Sequence, residues 1–305
     1  MNFYLPIAEI EINIFILFSS GFFVGVMSGL FGVGGGFLMT PLLIFLGIPP
    51  ATAVGTEATQ ILGSSVSGAI AHGRNKNIDF EMGLFLLIGG IFGSTLGVIF
   101  FKFMIEAGNI DLIISLLYII FLAIIGTLMF IESALSLFKK GEAKIKKKKV
   151  SRNILHKLPL KFKFRRSRLY VSILIPVGIG IFVGILSALM GIGGGFVMVP
   201  AMIYLLGMQT ITAIGTSLFQ IVFVTANVTF LQATYNQSVD LVLAIFLLLG
   251  GVIGAQIGSK YTAKFEGNQL RILLASIVIL VCFKMSFDLI QEPNINSRII
   301  IQESH

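Results

Sequence analysis

The chain has 305 residues, of which 56% are hydrophobic and only 12% are charged, and its mean hydropathy is +0.97. A soluble domain needs about 25% charged residues to cover its surface. This composition therefore excludes a soluble enzyme, a disordered chain and a nucleic-acid-binding domain. Several uncharged apolar runs reach the roughly 18–20 residues that cross a bilayer core, so we expect an all-α polytopic membrane protein.

The formal net charge of +8 comes from one stretch of the chain. Residues 139–168 contain 14 of the 22 Lys and Arg residues and a single acid, whereas the remainder is net negative. Lys and Arg are enriched in cytoplasmic loops of membrane proteins, so this segment is predicted to be cytoplasmic. The expected partners of the protein therefore include membrane lipid, whose anionic headgroups attract such segments, but no nucleic acid.

In chain order, each half of the sequence contains five hydrophobic segments. In the first half they are Ile12–Phe31, Phe37–Leu46, Ala51–Ala71, Gly83–Phe101 and Leu112–Ile131, and in the second they are Val171–Met190, Phe196–Leu206, Ile211–Tyr235, Leu241–Ser259 and Ile272–Ile290. The first segment is interpreted as a retained span, because no Lys or Arg precedes it as in a signal peptide. The second segment of each half has about ten residues, near 15 Å as a helix, and is predicted to re-enter the membrane.

The two halves are copies of one unit. Gly21–Pro41 and Gly180–Pro200, which lie 159 residues apart, are identical at 13 of 21 positions. Further matching blocks of Gly, Thr and Gln follow in both halves. Such duplication is common in secondary transporters. We divide the chain into a first transmembrane repeat (1–138), a basic cytoplasmic loop (139–169) and a second transmembrane repeat (170–305).

The placement of Lys and Arg also predicts how the repeats are oriented. With the basic loop in the cytoplasm and an odd number of crossings in each half, most other bases lie on the cytoplasmic side, as the positive-inside rule requires. Both termini are then external. An odd number of crossings also gives the halves opposite orientations, so we expect two inverted-topology repeats.

A glycine cluster stands before the short second segment of each repeat. The clusters are Gly34, Gly35 and Gly36 in the first half and Gly193, Gly194 and Gly195 in the second. Successive glycines allow positive φ angles, and their N–H groups, with the positive end of the next helix, favour an anion. The alternative is close helix packing through small residues. We favour packing for the other glycine rows, 89–97 and 250–258, and substrate binding for the clusters.

Polar side chains line one face of the third segment in each repeat. Thr56 and Gln60 are followed by Ser64 and Ser67 in the first half, and the second half has the set Thr216, Gln220 and Asn227. Steps of three or four residues place such side chains on one helical face. They are predicted to bind a polar substrate, and the alternative is hydrogen bonding between neighbouring helices.

Glu57 is the acid that lies deepest in an apolar segment, and its counterpart in the second repeat is Ser217. An ionisable group at membrane depth costs about 2.5–3.5 kcal/mol or more and points to a function. Glu57 is therefore a candidate for carrying a coupling proton. It is alternatively a cation ligand or a residue near the membrane interface.

Nothing in the sequence indicates a metal, a cofactor or catalysis. The three His residues and Cys282 lack the spacing of metal ligands. Neither H-E-x-x-H nor G-x-S-x-G is present. We predict that the protein is not an enzyme.

The paired motif G-x-G-G-G-x-x-x-x-P, at Gly32–Pro41 and Gly191–Pro200, is followed in each half by A-x-G-T. In this combination the chain resembles the sulfite exporter TauE/SafE family over roughly residues 15–290. The resemblance implies a transporter of the bacterial inner membrane that mostly exports sulfur-containing anions such as sulfite or organosulfonates. Glu57 departs from the G-T-S pattern of the second repeat, and a carboxylate beside an anion site repels a dianion unless it is protonated or paired.

These observations lead to one functional hypothesis with two alternatives. The chain is predicted to be a secondary transporter that exports a small sulfur-containing anion by alternating access, and a homo-oligomer is compatible with this role. The first alternative is a cation or neutral-solute transporter that uses Glu57. The second is a non-transporting membrane scaffold that signals through the basic loop.

Overall fold

The computed structural model describes residues 2–31, 36–138, 159–262 and 267–291. These ranges are mainly helical. Their α-helices are α1 (Ile14–Phe31), α2 (Gly36–Phe45), α3 (Pro50–Arg74), α4 (Phe80–Glu106), α5 (Ile110–Phe138), α6 (Leu174–Met190), α7 (Gly195–Ala201), α8 (Thr210–Leu231), α9 (Leu241–Thr262) and α10 (Gly267–Ile290). Short π-helical turns, Met202–Leu206 and Gln232–Asn236, continue α7 and α8. The order α1–α5 is thus repeated as α6–α10.

Five of the described helical segments are long and apolar enough to cross a membrane: Phe80–Glu106, Ile110–Ile131, Thr210–Asn236, Leu241–Gly258 and Ile272–Ile290. The protein is therefore a helical integral membrane protein. The third helix of the first repeat, α3, has 25 residues but does not belong to this set, because Gly, Ser and Thr dilute its apolar character. The short helices that the sequence predicted are present as α2 and α7.

Each repeat begins with a β-hairpin that the sequence did not predict. Strand β1 (Asn2–Leu5) pairs with β2 (Ile10–Asn13), and β3 (Lys161–Phe164) pairs with β4 (Leu169–Ser172), both antiparallel. The hairpins are related by the offset of 159 residues seen in the glycine motif. The first predicted segment therefore starts as a strand, and β3 lies inside the predicted loop 139–169. Four-residue strands of alternating polarity carry a weak period-2 pattern, which adjoining apolar and basic runs obscure.

The first helix of each repeat packs along the fourth helix of the other repeat. Helix α1 lies against α9, and α6 lies against α4. At both crossings glycines allow the backbones to touch: a Cβ on Gly254 would overlap the carbonyl oxygen of Phe22, and a Cβ on Gly93 would overlap that of Ile181. The prediction that these glycine rows serve helix packing is confirmed. A small residue is required at such positions because no side chain fits between the backbones.

The third helices of the two repeats pair antiparallel, and so do the fifth helices. Thr59 Oγ1 of α3 donates to Thr229 Oγ1 of α8 at 3.4 Å, while Gly68 of α3 lies against Leu218 of α8. Cys282 of α10 donates from Sγ to the Ile119 carbonyl of α5 at 3.4 Å. The main contacts of the first, third, fourth and fifth helices thus join one repeat to the other, so the repeats form one core.

Candidate functional site

The glycine turn of the second repeat has the backbone that the sequence predicted. Gly191, Gly193 and Gly194 have φ angles of 67°, 69° and 79°, a region that only glycine adopts at little cost. Helix α6 ends before this turn and α7 begins with Gly195. In the first repeat Gly34 and Gly35 lie outside the described residues, whereas Gly36 is the first residue of α2.

The described parts of the two glycine turns lie side by side. A Cβ on Gly36 would be 3.2 Å from the carbonyl oxygen of Ile192 and 3.3 Å from Oε1 of Glu57. The next residues of the two short helices, Phe37 and Phe196, stack with ring centroids 4.5 Å apart. The repeat therefore brings its equivalent helix breaks to one place, beside the buried carboxyl group of α3.

The predicted threonines connect the two repeats. The hydroxyl of Thr56 accepts a hydrogen bond from the backbone N–H of Asp240, and the hydroxyl of Thr216 accepts one from Asp79, each at 3.0 Å. Both threonines are fully buried. The same hydrogen bond therefore occurs in both halves. In each case it joins the third helix of one repeat to the start of the fourth helix of the other repeat.

Asp79 caps α4 and holds the second hairpin. Its Oδ1 accepts from the N–H of Met82 at 3.1 Å, as an N-cap residue does. Its Oδ2 accepts from the backbone N–H of Ser167 at 3.0 Å and from the Ser167 hydroxyl. We call this group of bonds the Asp79 cap. It joins the start of α4 to the turn between β3 and β4.

Asp240 makes the matching connection at the start of α9. Its Oδ1 accepts from the N–H of Leu243 at 3.1 Å, and its Oδ2 accepts from the N–H of Ile7 in the first hairpin at 3.2 Å. We call this the Asp240 cap. Neither aspartate was predicted from the sequence. The signal was present, because both stand immediately before the fourth helix of their repeat, where an aspartate is a favoured N-cap.

The two predicted glutamines face glycines of the opposite repeat. A Cβ on Gly251 would lie 2.7 Å from Nε2 of Gln60, and Gly90 has the same relation to Gln220. Gln220 is 0% exposed, and within the described part of the chain neither atom of its amide has a hydrogen-bond partner. A buried unpaired amide costs about 1–3 kcal/mol, so this side chain is available to a polar ligand.

Asn227 binds the opposite repeat directly. Its Nδ2 donates to Ser94 Oγ at 2.9 Å and to Thr95 Oγ1 at 3.1 Å, both on α4. Among the predicted site residues, Asn227 and the two threonines therefore have protein partners. Their hydrogen bonds connect the two repeats to each other.

Glu57 lies inside the molecule. Its side chain is 0% exposed, and neither carboxylate oxygen has a hydrogen-bond partner among the described residues. This burial argues against the interpretation of Glu57 as a residue near the membrane interface in contact with water. It leaves the proton-carrying and cation-binding interpretations.

A cavity of about 500 Å³ lies at the junction of α3, α4 and the second hairpin, away from the glycine turns. It is lined by Gly73, Lys76, Ile78, Asp79, Phe80, Glu81, Arg165 and Arg166. The backbone N–H of Arg165 also donates to Glu81 at 3.1 Å. The cavity therefore adjoins the Asp79 cap, and the predicted site residues do not line it.

Comparisons with known proteins agree with this architecture. Residues 17–285 match the family described as "Sulfite exporter TauE/SafE". The chain is 34% identical over 268 residues to the probable membrane transporter protein YjnA of Bacillus subtilis, covering 87% of this chain and 96% of that one. It is 29% identical to the probable membrane transporter protein MJ0441 of Methanocaldococcus jannaschii, covering 86% and 91%. No solved structure matches the chain.

These matches and the five membrane-crossing helical segments show that the chain is a multi-pass membrane transporter protein. It belongs to the sulfite exporter TauE/SafE family. The family covers nearly the whole chain, including both glycine motifs and both halves of the repeat.

Proposed function

We propose that the protein is a secondary transporter that exports a small sulfur-containing anion, such as sulfite or an organosulfonate, across the bacterial inner membrane. The observation that carries this proposal is the position of Gly36, the first residue of α2, beside Ile192 in the glycine turn that precedes α7. Backbone N–H groups at the start of a helix favour anions. Two such starts at one place, inside a transporter of this family, suit a negatively charged substrate.

The anion is held by the turns around Gly34–Gly36 and Gly193–Gly195, together with side chains of the third helices. Gln220 is a direct side-chain ligand, because its amide has no partner in the described chain. Gln60 is its equivalent in the first repeat, facing Gly251 as Gln220 faces Gly90, and is the second direct ligand. Thr56, Thr216 and Asn227 act on the substrate by holding the repeats around it, since each bonds to the other repeat.

Transport occurs by alternating access between two inverted repeats. The reciprocal packing of first on fourth helices and the antiparallel pairing of equivalent helices support this mechanism. In it, α2 and α7 are re-entrant, the basic loop is cytoplasmic and both termini are external. Rocking of one repeat against the other then exposes the glycine turns to each side in turn.

Glu57 carries the coupling ion, which is a proton in this proposal. The carboxyl group is buried next to the Gly36 turn, so its charge state acts directly on an anion bound there. The same unpaired carboxylate favours a second candidate function, a cation or neutral-solute transporter. In that case Glu57 and the glutamines are the ligands.

Proteoliposome flux separates these functions. Purified protein is reconstituted and loaded with labelled sulfite, a labelled organosulfonate or a labelled alkali cation, with and without a pH gradient. We expect saturable sulfite or sulfonate flux that the pH gradient accelerates. Flux of the alkali cation without any anion flux would replace the proposal by the second candidate. A protein that moves none of these substrates fits the scaffold alternative.

Substituting Gly36 by alanine is expected to lower anion flux about tenfold, because overpacking of this kind costs about 1–3 kcal/mol. The added methyl group occupies the space between the Ile192 carbonyl and Glu57 and displaces the end of Ile61. The measurement is initial flux in proteoliposomes. Gly178→Ala in α6 is the matched control, since no atom of the described residues lies within 4 Å of its added Cβ. Equal flux in the two variants would argue against a substrate at this turn.

Gln220→Met is expected to keep or raise the thermal stability by about 1 kcal/mol and to lower anion flux about tenfold or more. The substitution removes an amide that is unpaired in the described chain, and such an amide costs stability while its hydrogen bond to a charged ligand is worth about 1.5–3 kcal/mol. Gln232→Met is the control, because Gln232 donates to the Ala188 carbonyl and accepts from Asn236 and Ser238. That variant should lose stability. Stability lost in Gln220→Met with flux intact would show a purely structural residue.

A further inference from the structure

Glu57 lies among elements that carry no basic side chain. Helices α2, α6, α7 and α8 and the turn between α6 and α7 contain no Asp, Glu, His, Lys or Arg. Among the described residues, the titratable side chain that interacts with it is Tyr118 of α5. The carboxylate of Asp240, whose backbone N–H bonds to Thr56 next to Glu57, is directed to α9 and the first hairpin. A deprotonated carboxylate in this position has no counter-charge among the residues that the structure describes, and an isolated buried charge is very costly. Its compensating charge therefore comes from solution.

Several oxygen atoms lie near this carboxylate, together with the apolar side chain of Ile61. The Ile192 carbonyl and Glu57 Oε1 lie 3.2 and 3.3 Å from the position of a Cβ on Gly36. Thr40 lies beside Tyr118, which in turn interacts with Glu57; its hydroxyl is fully buried and meets no hydrogen-bond criterion with a described residue. The hydroxyl of Tyr118 donates a hydrogen bond to the Met190 carbonyl at the end of α6, so the lone pairs of the Tyr118 oxygen remain available. A protonated carboxyl group has a single O–H donor, so it can bond to one of these oxygens but not to all of them.

The site belongs to one repeat only. The positions equivalent to Thr40 and Glu57 are Val199 and Ser217, and α10, the partner of α5 in the repeat, contains no tyrosine. The glycine turns are duplicated, but these three side chains are not. Because these three side chains occur in one repeat only, the oxygens form one site per chain. One site per chain suits a single coupling ion. Broken helix ends and exposed carbonyls are used in this way by ion-coupled transporters.

We propose that Glu57, Thr40 and Tyr118, with the carbonyl of Ile192, form a binding site for one sodium ion that competes with the proton on Glu57. This deepens the coupling role of Glu57 in the proposed function. Sodium binding places a positive charge beside the Gly36 turn, where it offsets the repulsion between the carboxylate and an anionic substrate. Lowering the pH displaces the ion, because a protonated carboxyl group is a poor sodium ligand.

Binding of labelled sodium to the purified wild-type protein tests the site without any anion present. We expect saturable binding of one Na⁺ per chain at pH 8, lost as the pH falls, and a melting temperature that NaCl raises and choline chloride does not. Glu57→Gln should abolish the sodium response, and Thr40→Val, which restores the residue of the other repeat, should weaken binding at least about tenfold. Ser217→Ala is the control that should keep it.

The outcomes are separable from those of the flux experiment. Saturable sodium binding without sulfite flux would support the sodium site and contradict the proposed substrate. Absence of saturable binding to the wild-type protein between pH 6 and 9 would overturn the sodium site, whatever the flux result. Binding that persists in Thr40→Val and Tyr118→Phe at wild-type affinity would remove these residues from the site. The wild-type measurement does not depend on any variant folding.

Discussion

Gly93→Ala and Gly254→Ala should each destabilise the folded protein by about 3 kcal/mol, the upper end of what overpacking usually costs. In both cases the added Cβ overlaps a backbone carbonyl, of Ile181 or of Phe22, on the helix packed against it. A carbonyl in a helix cannot rotate away as a side chain does, so the two helices must separate. Because these crossings join the repeats, their separation loosens the whole core.

The measurement is the thermal unfolding of purified protein in detergent, together with the yield of monodisperse protein after extraction from membranes. Gly178→Ala provides the baseline for a glycine in the same kind of helix with free space around it. Alanine favours a helix over glycine by about 1 kcal/mol, so this control should be neutral or stabilising. If Gly93→Ala melts at the same temperature as Gly178→Ala, the result would contradict a direct backbone contact between α4 and α6 at Gly93.

Asp79→Ala is expected to lower the free energy of unfolding by roughly 3 kcal/mol. Loss of an N-cap costs about 1 kcal/mol, and the variant also deprives the half-buried Ser167 backbone N–H and hydroxyl of a charged acceptor, whose hydrogen bonds are worth about 1.5–3 kcal/mol. The backbone bond to Thr216 stays, since it uses the main chain of residue 79. The second hairpin should therefore detach from α4 before the helices separate.

Limited proteolysis at the Arg165–Arg168 turn reports the detachment, and thermal unfolding reports the stability. Asp240→Ala should have a similar effect on the first hairpin through Ile7. The control is Asp288→Ala, which removes a carboxylate that is 46% exposed and paired with Lys284, a pair worth at most about 1 kcal/mol. Unchanged cleavage in Asp79→Ala would show that the Asp79 cap does not hold the hairpin.

The agreement between sequence and structure is best where the information is local. The glycine cluster before α7 predicts positive φ angles, and the turn has them at Gly193 and Gly194. The second predicted segment, 37–46, corresponds to helix Gly36–Phe45. The fourth predicted segment, 83–101, is shorter than helix Phe80–Glu106, because polar residues at helix ends are not part of an apolar run.

Candidate site residues were located by type and spacing, but their partners were not. The step of four residues places Thr56 and Gln60 on one face of α3, and the structure shows two different roles there. Thr56 accepts from Asp240, a residue 184 positions away, whereas Gln60 lies against Gly251. The hairpins went unpredicted for a related reason, since their position depends on the aspartates of the other repeat.

The amino-acid sequence by itself determined the membrane class, the duplication, the helix breaks and the family, because hydropathy, repetition and glycine content act over short stretches of chain. Only the tertiary structure decided that Gly36 at the start of α2 lies beside the glycine turn of the second repeat, that Glu57 is wholly enclosed and that Asp79 and Asp240 hold hairpins. These features arise from contacts between residues far apart in the chain, from 88 positions for Asp79 and Ser167 to 233 for Asp240 and Ile7. Which helix faces meet depends on the shape of both helices at once.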